Sequence, residues 1–276
     1  MPFHNDNLFA AAKACLDASE ADDKVACTRA VAEAWRRGAL SLSSDTPVGP
    51  IAAPGRPAQP ALVPPREVPR RGTTTAEGRA VLLHAIAHIE FNAINLAWDA
   101  VYRFRGLPHA YYDDWVRVAD EEAYHFTLLR DRLREYGHDY GDFTAHNGLW
   151  EMAEKTADDV LVRMALVPRV LEARGLDVTP GMLERLRSAG DARSVEILEI
   201  ILRDEIGHVA AGTRWFRHVC AERGLDPQAS FGEMLRRFIE DMHGRIQGPF
   251  HADARAAAGF SADEMARLQS LDGKRF

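Results

Sequence analysis

Cysteine is scarce in this chain: Cys15, Cys27 and Cys220 are the only three among 276 residues. They show no metal-ligand spacing and no even-numbered framework. That excludes a disulfide-stapled small domain and points to a reducing compartment, the cytoplasm. Long apolar runs are lacking too; none approaches the roughly 18 residues of a membrane helix, so no membrane span is expected. The opening MPFHNDNLFAAAKACLDASEADDK has no basic start followed by an apolar block, so no secretory leader is expected. Excess positive charge is absent, with a net charge of −7, which weighs against a surface that coats nucleic acid. Strand-like alternation is missing throughout.

What is present is an ordinary globular composition, 46% hydrophobic and 27% charged, on a chain long enough for a substantial core. Leu8, Ala11, Ala12, Cys15 and Leu16 share one helical face, and Val25 to Trp35 offer another. Between Ser41 and Thr75 stand eight prolines, from Pro47 to Pro69, which no helix or central strand tolerates. Ile51, Leu62, Val63 and Val68 give this stretch apolar anchors, so an extended strap is preferred over a free linker. Four long helices are then expected, near 76–104, 111–136, 149–174 and 192–223. Gly106, Gly137, Gly175 and Gly224 mark their stops. Shorter helices are expected near 180–189 and 230–243, and another from Ser261, where Ser261 and Glu264 form a capping box. The chain reads as all-α. The expected divisions are an N-terminal helical segment (1–46), the strap (47–75), a helical bundle (76–224) and a C-terminal helical extension (225–276).

Polar residues interrupt the apolar stripes of these helices at matched places. On the second long helix Trp115, Val118, Glu122, His125, Leu129 and Leu133 share a face; on the fourth, Leu198, Ile201, Glu205, His208, Gly212 and Trp215 do. Both pairs are Glu-x-x-His, a spacing that aims two side chains from one face toward one point. About one such pair is expected by chance from composition alone; a third, Glu135 to His138, is split by Gly137 and discounted. The first long helix adds Glu90 and the third adds Glu172, each on an apolar stripe. Glu90 to Glu122 is 32 positions and Glu172 to Glu205 is 33, the trace of two related helical hairpins.

This inventory, one Glu from each of two helices and Glu-x-x-His from each of two others, resembles that of the ferritin-like di-metal carboxylate bundles. Four carboxylates in one core would repel each other and lose hydration unless cations compensated them. Two divalent metals supply the balancing charge, and oxygen and imidazole donors without thiolate favour iron, with manganese or a mixed iron–manganese pair as alternatives. Glu90, Glu122, His125, Glu172, Glu205 and His208 are therefore the expected metal ligands. Asp204 and Glu121 each precede a ligand and are expected to brace the histidines, Asp204 on His125 and Glu121 on His208. His84, Asp99, His251 and Arg255 are candidates for a nearby pocket. Pro168 lies one turn before Glu172 and should kink its helix.

The stretches HAIAHIEFNAINLAWDA, EEAYHF, YGDFTAHNGLWE, EARGLDVTPGM and DEIGHVAAGTRWF resemble a ferritin-like family described only as a domain of unknown function. The likeness spans roughly residues 8 to 260 and includes the PGRP of the strap. More remotely, EAR and EExxH resemble the ferritin-like tRNA hydroxylases. That second likeness implies a helix running on past Glu-Ala-Arg, where Gly175 predicts a stop. Together the resemblances imply a ferritin-like four-helix bundle holding two irons on the six residues above. A leucine, Leu129, stands where radical-storing relatives of this superfamily carry tyrosine. The expected activity is a di-iron oxidase or oxygenase using O2, a small organic or modified-nucleoside substrate and an external electron donor. The alternatives are a ferroxidase or metal-handling protein, and a non-catalytic helical metal-binding protein that docks partners. No nucleic-acid partner is expected, tRNA being the one variant retained. The oligomeric state is open, a homodimer being one form.

Overall fold

The structure is a computed structural model that describes residues 7–43, 47–70, 72–240 and 242–273. The first six residues, read above against a leader, lie outside the described set. The described residues are helical, with no strand; two isolated bridges, Asn7 to Ser41 and Leu62 to Ala145, are the nearest approach to one. The chain divides into two compact units, Met1–Glu151 and Met152–Phe276. The break falls inside the stretch expected to form one bundle.

In the first unit, α1 (Leu8–Asp17) and α2 (Ala21–Arg36) cover a long hairpin of α3 (Ala76–Arg103) and α4 (His109–Glu135). Asn7 caps α1 by accepting from the Phe9 and Ala10 amides, and Thr75 caps α3 by accepting from Gly78. The carbonyls that end α1 are met by a buried cation: Lys24 Nζ donates to Cys15 O at 2.8 Å and Leu16 O at 3.2 Å. Burial lowers Lys24 to about 8. Cys15 and Cys27 are free thiols whose sulfurs stand 3.0 Å apart. By length and composition α3 could cross a membrane, but 94% of its apolar window is buried inside the protein. It is a core helix, with Trp98 and Ile94 sealed completely.

Residues 47–70 run along this unit in extended form with one short 3-10 turn, Pro65–Glu67. Backbone bonds tie them down: Gly55 donates to Leu16 O (2.7 Å), Val63 to Ala145 O (2.8 Å), and Ala145 to Ala61 O (3.1 Å). Ile51 and Pro60 are buried, while Leu62, Val63 and Val68 are half-buried.

The second unit departs from the expected helix pattern. The third long helix is not continuous over 149–174, nor does it stop at Gly175. Helix α5 (Gly148–Lys155) crosses the division between units and ends; Asp159 then caps α6 (Val160–Leu166) by accepting from the Leu161 amide. A π-helical segment, Val167–Glu172, follows and runs directly into α7 (Ala173–Ser188). The physical reasons are local. Pro168 has no N–H to donate, so the ladder slips to a wider turn. Gly175 is only mildly unfavourable in a helix interior. Pro180 is the eighth residue of α7, beyond its second turn, and the helix runs through it. Helix α8 (Ala192–Glu222) packs against α6, the π segment and α7. Next come α9 (Pro227–Glu240), α10 (Ala252–Ala257) and α11 (Ala262–Ser270), the last opened by the capping box of Ser261 and Glu264.

Candidate metal centre

Glu90 on α3 and Glu122 and His125 on α4 come together inside the first unit. They are 3%, 0% and 0% exposed. His125 Nδ1 stands 3.3 Å from Glu90 Oε2 and 3.6 Å from Glu122 Oε2. One donor atom from each residue can be chosen so that all lie within 4.8 Å of one another. This buried Glu/His group could hold a metal ion.

Without a cation the cluster holds protons. Burial, then the neighbouring Glu122 charge, pushes the Glu90 carboxyl well above the usual carboxylate range. Burial works against a charged His125, but hydrogen bonds and charge from Glu122 and Glu90 override it and raise the imidazole to about 11. A divalent cation removes the reason for both shifts: it takes two carboxylates as anions and the imidazole as a neutral donor. The donor set, two oxygens and one nitrogen among apolar walls, therefore fits a metal.

The other polar residues of α3 have structural partners. His84 Nε2 accepts from the Gly141 amide at 3.0 Å and the ring stacks on Tyr140. His88 Nε2 faces the His146 carbonyl at 3.0 Å and Nδ1 faces the Tyr140 hydroxyl at 2.9 Å. Both histidines thus pin the connection between α4 and α5 onto α3. Burial lowers each to about 4. Asp99, fully buried, takes Arg103 one turn on, with Arg103 Nη2 at 2.6 Å from Oδ1. Glu121, expected to brace a histidine, accepts from Arg117 at 2.7 Å.

The second unit carries the other half of the expected ligand set. Glu172 ends the π segment, and Glu205 and His208 lie on α8 with Nδ1 and Oε1 3.5 Å apart. His208 is fully buried and Glu205 12% exposed. Arg169, three residues before Glu172, turns elsewhere: its Nη2 donates to Glu264 Oε1 at 2.5 Å. Gly212, one turn beyond His208, faces Pro168 so closely that a Cβ would stand 2.2 Å from Pro168 Cγ. Asp204 accepts from its neighbour Arg203 at 2.8 Å. Of the two further pocket candidates, His251 is half-buried and Arg255 buried. His251 Nδ1 accepts from the Ala254 amide to cap α10, and buried Arg255 pairs with Asp177 at 2.7 Å.

Sequence reasoning missed Lys24, Arg163, Arg169 and Asp177, all buried. Arg169 meets Glu264, 95 positions away, and Asp177 meets Arg255, 78 positions away, so no local spacing announces those two pairs.

A relative from Haemophilus influenzae, named only as an uncharacterized protein, is 50% identical over 216 residues, covering 76% of this chain and 74% of its own. No solved structure matches the chain. A family model described as "Protein of unknown function (DUF455)" matches residues 17–266. With nearly the whole chain inside that match, and half the aligned positions shared with the Haemophilus protein, the chain belongs to the DUF455 family.

Proposed function

We propose that the chain is a ferritin-like, non-haem di-iron oxidase or oxygenase acting on a small organic or modified-nucleoside substrate. The observation that carries the reading is the sealed Glu90, Glu122 and His125 group of the first unit. The second unit carries a like inventory of donors, Glu172, Glu205 and His208, at near-equal sequence spacing, as the di-metal carboxylate pattern requires. Bound iron would supply one-electron chemistry and oxygen activation.

The chain's own residues do the rest. Glu90 and His125 surrender their protons when metal binds. Leu129 on α4, one turn from His125, and Ile201 on α8, one turn from Glu205, are buried apolar neighbours on the donors' own helix faces. Cation-free packing would leave the carboxylates short of compensating charge, which argues for a site that is complete only with metal. The acidic net charge of −7 favours a small substrate over a tRNA, and three free thiols suit a reducing compartment such as the cytoplasm.

Metal analysis combined with oxygen uptake tests this. The reading expects about two irons per chain and reductant-dependent oxygen consumption, both lost in Glu122→Ala. Full metal content in that variant refutes the ligand assignment. Iron loading far beyond two per chain would shift the function to iron handling, and a redox-silent metal would remove the enzyme.

A further inference from the structure

The second unit holds a cleft of about 160 Å³ that the metal reading does not use, and four arginines line it: Arg169, Arg174, Arg245 and Arg255. Two of them are sealed in protein, Arg169 at 0% and Arg255 at 2% exposure. Burying a guanidinium is costly unless its donors find acceptors. Each finds some. Arg169 bonds Glu264 through Nη2, and its plane lies over Phe216, Phe231 and Phe260 at 4.7, 4.0 and 4.7 Å. Arg255 bonds Asp177 through Nε (2.9 Å) and Nη2 (2.7 Å). Yet Nε and Nη1 of Arg169 and Nη1 of Arg255 are buried without any hydrogen-bond partner. Aromatic faces attract the charge but give these three nitrogens no oxygen.

The charge is also unbalanced. Around the cleft five guanidiniums, the four that line it and Arg217 beside Glu264, meet three carboxylates, Asp177, Glu264 and Asp272, which leaves +2. Arg174 is held at the rim by three backbone carbonyls, Gln247, Gly248 and Pro249, with Nη1 to Gln247 O at 2.7 Å. Arg245 is exposed at the same edge. The remaining wall is apolar, with Ile246, Phe250 and Leu268.

We infer that this cleft binds a small phosphomonoester, its phosphoryl group among the arginines and its organic body against Ile246, Phe250 and Leu268. A phosphomonoester carries close to two negative charges at neutral pH and several strong acceptor oxygens, which matches the +2 balance, with exposed Arg245 and half-exposed Arg174 the guanidiniums it meets at the open edge. A carboxylate carries one charge and would leave the balance half met. The site is independent of the metal reading: Arg169 reaches the cleft from the π segment that ends in Glu172, but none of the four arginines belongs to the expected ligand set.

Calorimetric titration of the full chain tests this, with phenyl phosphate, inorganic phosphate and benzoate as probes. Saturable binding of one phenyl phosphate per chain is expected, at least about tenfold tighter than benzoate. It should weaken between pH 7.5 and 5 as the phosphate takes up its second proton, near pH 6, while benzoate binding should not change over that range. Arg245→Ala and Arg174→Lys should each weaken phenyl phosphate binding about tenfold, with thermal unfolding unchanged in Arg245→Ala because Arg245 is exposed. No saturable binding at millimolar phenyl phosphate overturns the site. Binding that both variants leave intact overturns it as well, since that phosphate would sit elsewhere, on a metal included. Benzoate binding as tightly as phenyl phosphate overturns the assignment to a phosphomonoester.

Discussion

Gly212 on α8 and Pro168 on the π segment touch so closely that no side chain fits between them: an added Cβ would meet Pro168 Cγ at 2.2 Å and Cβ at 2.4 Å. Gly212→Ala ordinarily gains about 1 kcal/mol of helix propensity. Here the opposing atoms belong to a rigid ring that cannot rotate aside, and overpacking costs about 1–3 kcal/mol or more. The clash should win. Thermal unfolding is expected to fall, and metal content with it, because Glu172 and His208 lie within one turn of the contact. An unchanged melting temperature would contradict this packing.

Glu90→Gln should separate the metal-free and metal-bound chains. Buried among acids, Glu90 is held protonated and neutral without metal, so the neutral, isosteric amide should leave metal-free stability at pH 7 equal or slightly higher. The stabilisation conferred by metal should vanish. That stabilisation is about 2.7 kcal/mol when free metal stands at a hundredfold its Kd. Parallel thermal scans of both chains, with and without iron or manganese, read the difference.

Metal affinity should rise with pH. His125 is held charged to about 11 and Glu90 protonated, so binding must expel protons. The sign for the metal-free fold is opposite. A raised His125 contributes stability that is fully present below its unfolded value of about 6.5 and is lost as pH rises through about 11. Titrating metal into weakly buffered protein should acidify the solution, and binding without proton release would refute the protonated cluster.

His84 and His88 set an acid limit. Burial lowers both to about 4, below the unfolded value of about 6.5. The folded state therefore binds fewer protons, and its stability is present above pH 6.5 and lost as pH falls through 4. Acid unfolding should take up as many as two protons from this pair, with Tyr140 released from the His88 contact. His88→Gln should move the acid midpoint downward. A midpoint that does not move would place the acid sensitivity elsewhere.

The helical hairpins and the acid–histidine interruptions were legible because each depends only on spacing along one helix. Glu90, Glu122 and His125 lie on apolar stripes and are buried. Helix ends were legible where a glycine takes positive φ, as at Gly137 (81°) and Gly224 (64°). Gly175 carries the same letter but no such φ, and the helix runs through it. Pro168 announced a disturbance without revealing its form, since a kink and a π turn both follow from a missing N–H. The arginine cleft was not legible at all. Arg255 and Asp177 are 78 positions apart, and only tertiary packing decides that they meet.

The π segment has a further consequence for how this chain can change length. A π turn accommodates one more residue than the α-helical ladder would, and each residue of α-helix turns the chain by roughly 100°. Removing one residue between Val167 and Glu172 would restore a regular ladder and swing Glu172 by that angle relative to α6, with Arg169 and the cleft wall carried along. A substitution that keeps the backbone leaves that rotation in place and a deletion does not, so the six-residue length of the segment is as much a part of the second unit as the identity of any side chain on it.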